Sequence, residues 1–300
     1  MNKILLFLLV FIVFSCGKES KKKPITPVPL AIPVIQPEGK SVVIDTVLLN
    51  SYGSKILKEF YLSSGFKSVW QSNKERKIIL KQLLNSDEEG LNPDDYYVYK
   101  LQKFEKKYAS LDDKNRGSYD ILLTRSLQKY ISHLSNGKLN PKNFYKDWDL
   151  KENVLDINQA IAVMIKSDSL AYKMEQLKPN HIVYKSLKKA LKIINSFPKD
   201  DFKAIEITNK IVLNDTNPSV IDVKKRLIYW QDMKPKDSLS SIYDSETNEA
   251  MKKFQISHGL AADGVIGKGT IAALNFSKRK RKEQILANLE RWKWFPKDMG

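Results

Sequence analysis

At 300 residues the chain is longer than one ordinary domain, and 51 Lys and Arg against 34 Asp and Glu give a formal charge of +17. Hydrophobic residues make up 42%, enough for real cores, which excludes a mainly disordered chain. A single cysteine excludes an intramolecular disulfide and thiolate-rich zinc sites, and the three histidines (His133, His181, His258) lie far apart, so no metal or other cofactor is expected.

Asn2-Lys3 precedes an unbroken apolar run, Ile4 to Phe14, and then Ser15-Cys16-Gly17. A charged start, a short apolar stretch and a small residue before the break describe a secretory signal over 1–16. The run falls well short of the roughly 20 apolar residues that a spanning helix needs. Val13-Phe14-Ser15-Cys16 resembles a bacterial lipobox, which implies a lipid anchor on Cys16 and hence a membrane as partner. Several acyl chains anchor stably where one is marginal. The alternative is an ordinary signal with an incidental cysteine; both readings put the mature chain outside the cytoplasm. Lys18 to Lys23 is polar and basic, and Pro24, Pro27, Pro29, Pro33 and Pro37 follow at short intervals, so 17–45 reads as a semi-rigid tether.

From about residue 52 the apolar period is that of a helix. Leu123, Leu127, Tyr130, Ile131 and Leu134 form one stripe, and Asn136-Gly137 ends it with residues suited to a left-handed cap. Tyr97, Leu101, Phe104 and Tyr108 repeat the pattern behind Asn92-Pro93-Asp94-Asp95, which reads as N-cap, proline at the first position and two acids on the helix dipole. Tyr184, Leu187, Leu191 and Ile194 make a further stripe closed by Phe197-Pro198. Helices are expected near 74–85, 157–166 and 168–177, with short extended pieces at Ser41 to Leu48 and Phe202 to Ile207. The expectation for 46–213 is an all-α domain.

The turn formers Asn214-Asp215-Thr216-Asn217-Pro218 mark a domain boundary. Beyond them Val220, Val223, Leu227 and Trp230 share a helical face, as do Ala250, Met251 and Phe254 before the stop at Gly259. Leu260 to Gly267 is a tight two-glycine loop: Asp263-Gly264 suits a turn with positive φ, and Gly267 permits close backbone approach. A small domain is expected over 214–276 and a linker helix over 277–300.

Phe254-Gln255, His258-Gly259-Leu260, Asp263-Gly264, Gly267, Thr270 and Ala273-Leu274 resemble, in order and spacing, the small three-helix peptidoglycan-binding domain. Trp70, Glu89-Gly90-Leu91-Asn92-Pro93-Asp94-Asp95-Tyr96, Asp120 to Thr124 with Tyr130, and Gly137-Lys138-Leu139-Asn140-Pro141 with Trp148 resemble the helical scaffold of long L,D-transpeptidases of Gram-negative bacteria. Asn288 to Pro296 resembles the segment that leads into the catalytic β-domain of that family. The resemblance implies an all-α fold, peptidoglycan as partner, and a lipid-anchored place in the envelope facing the periplasm. In the family, a cysteine thiolate activated by histidine attacks the donor stem peptide. No cysteine follows Cys16, and no Ser or Thr sits in a nucleophile-elbow context, so no catalytic residue is assigned. The expectation is a non-catalytic scaffold and wall-binding part; the alternative is a parent protein that continues past Gly300 to a catalytic Cys and makes 3→3 cross-links.

Gln255, His258, Asp263 and Thr270 could touch the glycan–peptide polymer or, equally, cap helices and fix the loop. Arg226 and Lys268, with Lys224, are candidates for stem-peptide carboxylates, against the alternative of a solvated face. Trp292, Trp294 and Phe295 at the end of the last helix are expected to need cover from a catalytic domain or another partner. Lys278-Arg279-Lys280-Arg281-Lys282 is a phosphate-contact composition, yet it lacks interleaved aromatics and begins a linker in an exported chain, so nucleic acid is not expected as a partner. Gly267-Lys268-Gly269-Thr270 fails the phosphate-loop pattern at Ala262 and Gly269, and Asp87-Glu88-Glu89-Gly90 reads as a helix end rather than a calcium loop.

Overall fold

The computed structural model describes residues 34–35, 40–151, 153–167 and 169–297; the signal, Cys16 and most of the tether lie outside them. Among the described residues the chain is all-α, with isolated bridges in place of strands. Helices α1 (Thr46–Ser51), α2 (Lys55–Ser63), α3 (Asn73–Leu84), α4 (Val98–Lys106), α5 (Asp113–Asn136), α6 (Ile157–Ile165) and α7 (Leu170–Gln176) build the first core. Short polar side chains start most of them. Asp45, Ser54, Ser72, Asp112 and Asp156 each accept a backbone N–H of the first turn.

The centre is α5. The Leu123 to Leu134 stripe is only part of its buried surface, because Tyr119, Ile121 and Leu122 are also buried, as suits a helix enclosed on most sides. Its polar residues form a satisfied seam. Asp120 accepts from the Val69 and Trp70 amides (3.0 and 2.8 Å) and from the Tyr61 hydroxyl (2.7 Å), and the Trp70 indole donates to Thr124 (2.8 Å). Burial still pushes the Asp120 carboxyl up to about 6. One turn on, the Gln128 amide donates to Asn158 (2.8 Å), which donates to the Ile56 carbonyl (2.9 Å).

Several local expectations are corrected. Ser41 to Leu48 contributes one bridge, Val43 to Lys67, before Asp45 caps α1, and Phe202 to Ile207 forms no strand. Asn92-Pro93 opens a 3-10 turn over Pro93–Tyr96, so Tyr97 falls outside α4, at φ 55°. Gly137 has φ 76° but ψ 171°, an extended exit instead of a left-handed helical cap.

Helix α8 (Ile182–Ser196) lies antiparallel to α12 (Lys278–Lys293), and Tyr184, Leu191, Ile194 and Leu289 form a separate core between them. The C-terminal half of α12 seats on the scaffold, so it is not a free linker. Trp294 is only 6% exposed, packed among Phe144, Tyr145 and Trp148, while Phe295 meets Trp148 and Trp292 meets His181. The cover expected from a partner comes for Trp294 from this chain itself, because the 144–148 loop folds back over the helix end, while Trp292 and Phe295 are half-buried.

Helices α9 (Ser219–Tyr229), α10 (Ser245–Ser257) and α11 (Lys268–Leu274) pack around Val220, Val223, Leu227, Tyr243, Met251, Phe254 and Ile266. Ile205 and Ile211, upstream of the turn cluster, also belong to this core.

Candidate functional site

In the three-helix unit the loop between α10 and α11 is built from below by Gln255, which is 1% exposed. Its oxygen accepts from the Gly264 amide (2.9 Å), and its nitrogen donates to Asp263 Oδ1 (2.8 Å) and the Val265 carbonyl (3.2 Å). Thr270 donates to the same Val265 carbonyl (3.1 Å). The Tyr243 hydroxyl donates to the Gly264 carbonyl at 2.6 Å. Gly264 is required twice over: its φ is +72°, and a Cβ there would lie 2.4 Å from Asn248 Nδ2. Gly267, by contrast, faces open space, so close approach is not its role.

This frame presents a rigid exposed edge. Asp263 accepts from Val265 N (2.8 Å) and Gln255, and those bonds hold its carboxyl below the usual carboxylate range. The His258 imidazole stacks on Phe254, ring centroids 3.9 Å apart, with Nδ1 2.7 Å from the Phe254 carbonyl. Burial against that ring lowers its pKa. Lys268 is exposed at the start of α11, as are Ala261, Ala262 and Asp263 in the loop before it.

Arg226 and Lys224 are not surface cations. Arg226, 5% exposed, donates to the Leu274 and Lys203 carbonyls and lies 3.9 Å over the Phe202 ring. Lys224, 2% exposed, is held by Asp244 (2.9 Å), the Ile242 carbonyl (2.8 Å) and Ser240 (3.1 Å). Both occupy positions on α9 that face the fold, where their ammonium and guanidinium groups saturate otherwise orphaned carbonyls. Gln255 and Thr270 are likewise used internally. Of the six sequence candidates, the structure leaves Asp263 and Lys268 exposed and His258 half-buried at the end of α10, at the two ends and tip of the loop between α10 and α11. Residues 214–276 carry eight Lys and Arg and eight Asp and Glu, so the +17 of the chain resides elsewhere.

A second constellation was missed by sequence reasoning. Glu89, 1% exposed, accepts from Tyr184 (2.8 Å) and pairs with Lys178 (2.8 Å) and Lys188. Burial alone would raise its carboxyl, but the two ammonium groups outweigh that and hold it low. Next to it, Glu290 of α12 accepts from the amides of Lys138 and Leu139 (2.7 Å for the latter), and Lys293, buried completely, lies 3.5 Å from the same carboxylate. Desolvation lowers the Lys293 ammonium. A Cβ on Gly137 would sit 2.6 Å from both Glu290 Oε1 and Trp294 Nε1. The separate motifs Glu89-Gly90, Gly137 to Pro141, Trp148 and Glu290 to Trp294 therefore converge on one structure, the seat of α12.

Residues 55–191 match the family described as Scaffold domain, and residues 216–274 match the family described as putative peptidoglycan binding domain. No curated protein matches the chain. Fold and matches together define a helical scaffold protein with a wall-binding module, placed in the cell envelope. The two matches, in this order, fit the scaffold and peptidoglycan-binding arrangement expected of the N-terminal part of an L,D-transpeptidase.

Proposed function

We propose that the 258–268 loop is where the module grips peptidoglycan, with His258, Asp263 and Lys268 as the contacting side chains and Gln255, Thr270 and Tyr243 as the frame that holds them. The observation that carries this reading is the preformed loop: its buried polar atoms are satisfied internally, so binding costs little ordering. A neutral module suits a polymer with both free amines and carboxylates, recognised by hydrogen bonds rather than bulk charge. Around it we place a signal over 1–16, a lipid anchor on Cys16, a tether over 17–45 that faces the periplasm, the scaffold over 46–213, the module over 214–276 and the α12 segment over 277–300. Co-sedimentation with purified sacculi tests the reading. The wild-type chain should pellet saturably, and the double variant His258→Ala/Lys268→Ala should lose most of that binding while keeping its melting curve; unchanged pelleting of the variant would move the site elsewhere.

The seat of α12 supports a second role, presentation of bound wall strands to an acyl-transfer domain of the parent protein. A domain that starts after Pro296 would begin from a point fixed by Glu290, Trp294 and Asn153, whose amide donates to the Phe295 carbonyl at 3.1 Å. Positioning of that kind converts an encounter into an intramolecular step. Coding sequence beyond Gly300 with a histidine and a Ser-x-Gly-Cys-type motif would support this role, and an immediate stop codon would refute it.

A further inference from the structure

Charge is distributed unevenly over the fold. Residues 182–196 of α8 contain four Lys and no acid, and residues 278–293 of α12 contain seven Lys and Arg against two Glu. The pair thus carries +4 and +5, more than half of the chain's +17, while the wall-binding module is neutral. On α8 the cations are ordered. At about 100° per residue, Lys185, Lys189, Lys192, Ile182 and Ile193 fall on one arc, opposite the Tyr184, Leu191 and Ile194 face that packs on α12. Ile182 is 78% and Ile193 60% exposed, and the three lysines make no ion pair among the described residues.

The antiparallel arrangement brings the basic start of α12 to the C-terminal end of this stripe, where Lys278 Nζ donates to the Phe197 carbonyl. Cations in the first turn of a helix oppose its dipole, and Lys278 and Lys282 repel at i,i+4. Fold stability therefore does not account for this run. Lys278 and Arg281 are engaged with carbonyls and Arg279 pairs with Glu283 (3.4 Å), which leaves the exposed Lys280 and the half-buried Lys282 without an ion pair among the described residues at this end of the α8 stripe.

We propose that the exposed face of α8, extended by the start of α12, is a peripheral docking surface for an anionic lipid bilayer. Lysines that alternate with exposed isoleucines on one helix face match a headgroup layer, where cations meet lipid phosphates and aliphatic side chains reach the acyl boundary. No helix among the described residues is long and apolar enough to cross a membrane, so the contact is with the surface. This inference does not depend on the wall-binding reading or on lipidation of Cys16.

A site-specific readout separates this contact from any held by the N-terminus. The full chain with Cys16→Ser and Ser186→Cys carries one environment-sensitive fluorophore within the proposed face, and Cys16→Ser with Ala272→Cys carries it on the exposed side of α11. With vesicles rich in phosphatidylglycerol, the label at 186 should shift to an apolar environment and that at 272 should not. Neutral phosphatidylcholine vesicles, or roughly 0.5 M salt, should abolish the shift. Adding Lys185→Glu, Lys189→Glu and Lys192→Glu should weaken the response by about fivefold per lysine. A label at 186 that stays in water while the chain pellets with vesicles would overturn the proposal, as would a response to sacculi but not to vesicles.

Discussion

Gln255→Ala tests whether the loop is held from beneath. The substitution orphans the buried Gly264 amide, a cost of about 1–3 kcal/mol, and leaves a void where the side chain packed between Asp263 and Thr270. The lost methylene contributes roughly another 0.8 kcal/mol, so the total is about 2–4 kcal/mol. A domain whose whole stability is of order 5–15 kcal/mol would feel that strongly. Urea unfolding followed by tryptophan fluorescence, with Trp230 at the C-cap of α9 as reporter, measures it directly. Gln255→Glu gives an internal control: it keeps an acceptor for Gly264 but places a second carboxylate beside Asp263, so its cost should shrink on acidification. If Gln255→Ala changes stability by less than 0.5 kcal/mol, the loop is held by something other than this side chain.

Three further outcomes follow from the scaffold. Burial holds the His133 imidazole down at about 4, with Lys129 opposing its charge as well and the Tyr96 hydroxyl 2.9 Å from Nδ1. The unfolded chain therefore binds the extra proton first, and stability should fall as pH drops from 6.5 to 4, by about 1–2 kcal/mol once solvent screening of this half-buried ring is allowed for; His133→Gln should flatten that part of the stability–pH curve. Gly137→Ala forces a Cβ against Glu290 and Trp294 at φ +76° and should raise hydrogen exchange over 278–293 by at least tenfold, leaving α9 to α11 unchanged. Glu89→Ala leaves Lys178 and Lys188 without their buried partner and should cost about 3–5 kcal/mol, read as a lower melting temperature.

Elements whose causes are local could be read from the chain. The α5 stripe, the stop at Gly259 and the Asp263-Gly264 turn follow from periodicity and backbone preference within a few residues. The resemblance motifs were legible as patterns but not as physics: Asp120 and Trp70 belong together because one carboxylate collects two distant amides, and nothing at either position announces it. Glu290 and the Lys138 amide are 152 residues apart, so that contact leaves no spacing signal. Arg226 and Lys224 looked solvated because charged residues usually are; only the fold supplies the carbonyls that draw them inward. Trp294 looked stranded because its cover, Phe144 to Trp148, arrives through a long loop.

The most direct test of the account is an amide chemical-shift titration of the full chain with a soluble disaccharide-tetrapeptide muropeptide. Perturbations concentrated on Ile256 to Thr270, saturable and absent in His258→Ala/Lys268→Ala, are the result expected. A muropeptide that moves only scaffold resonances, or none at all, would contradict the assignment of wall binding to this loop.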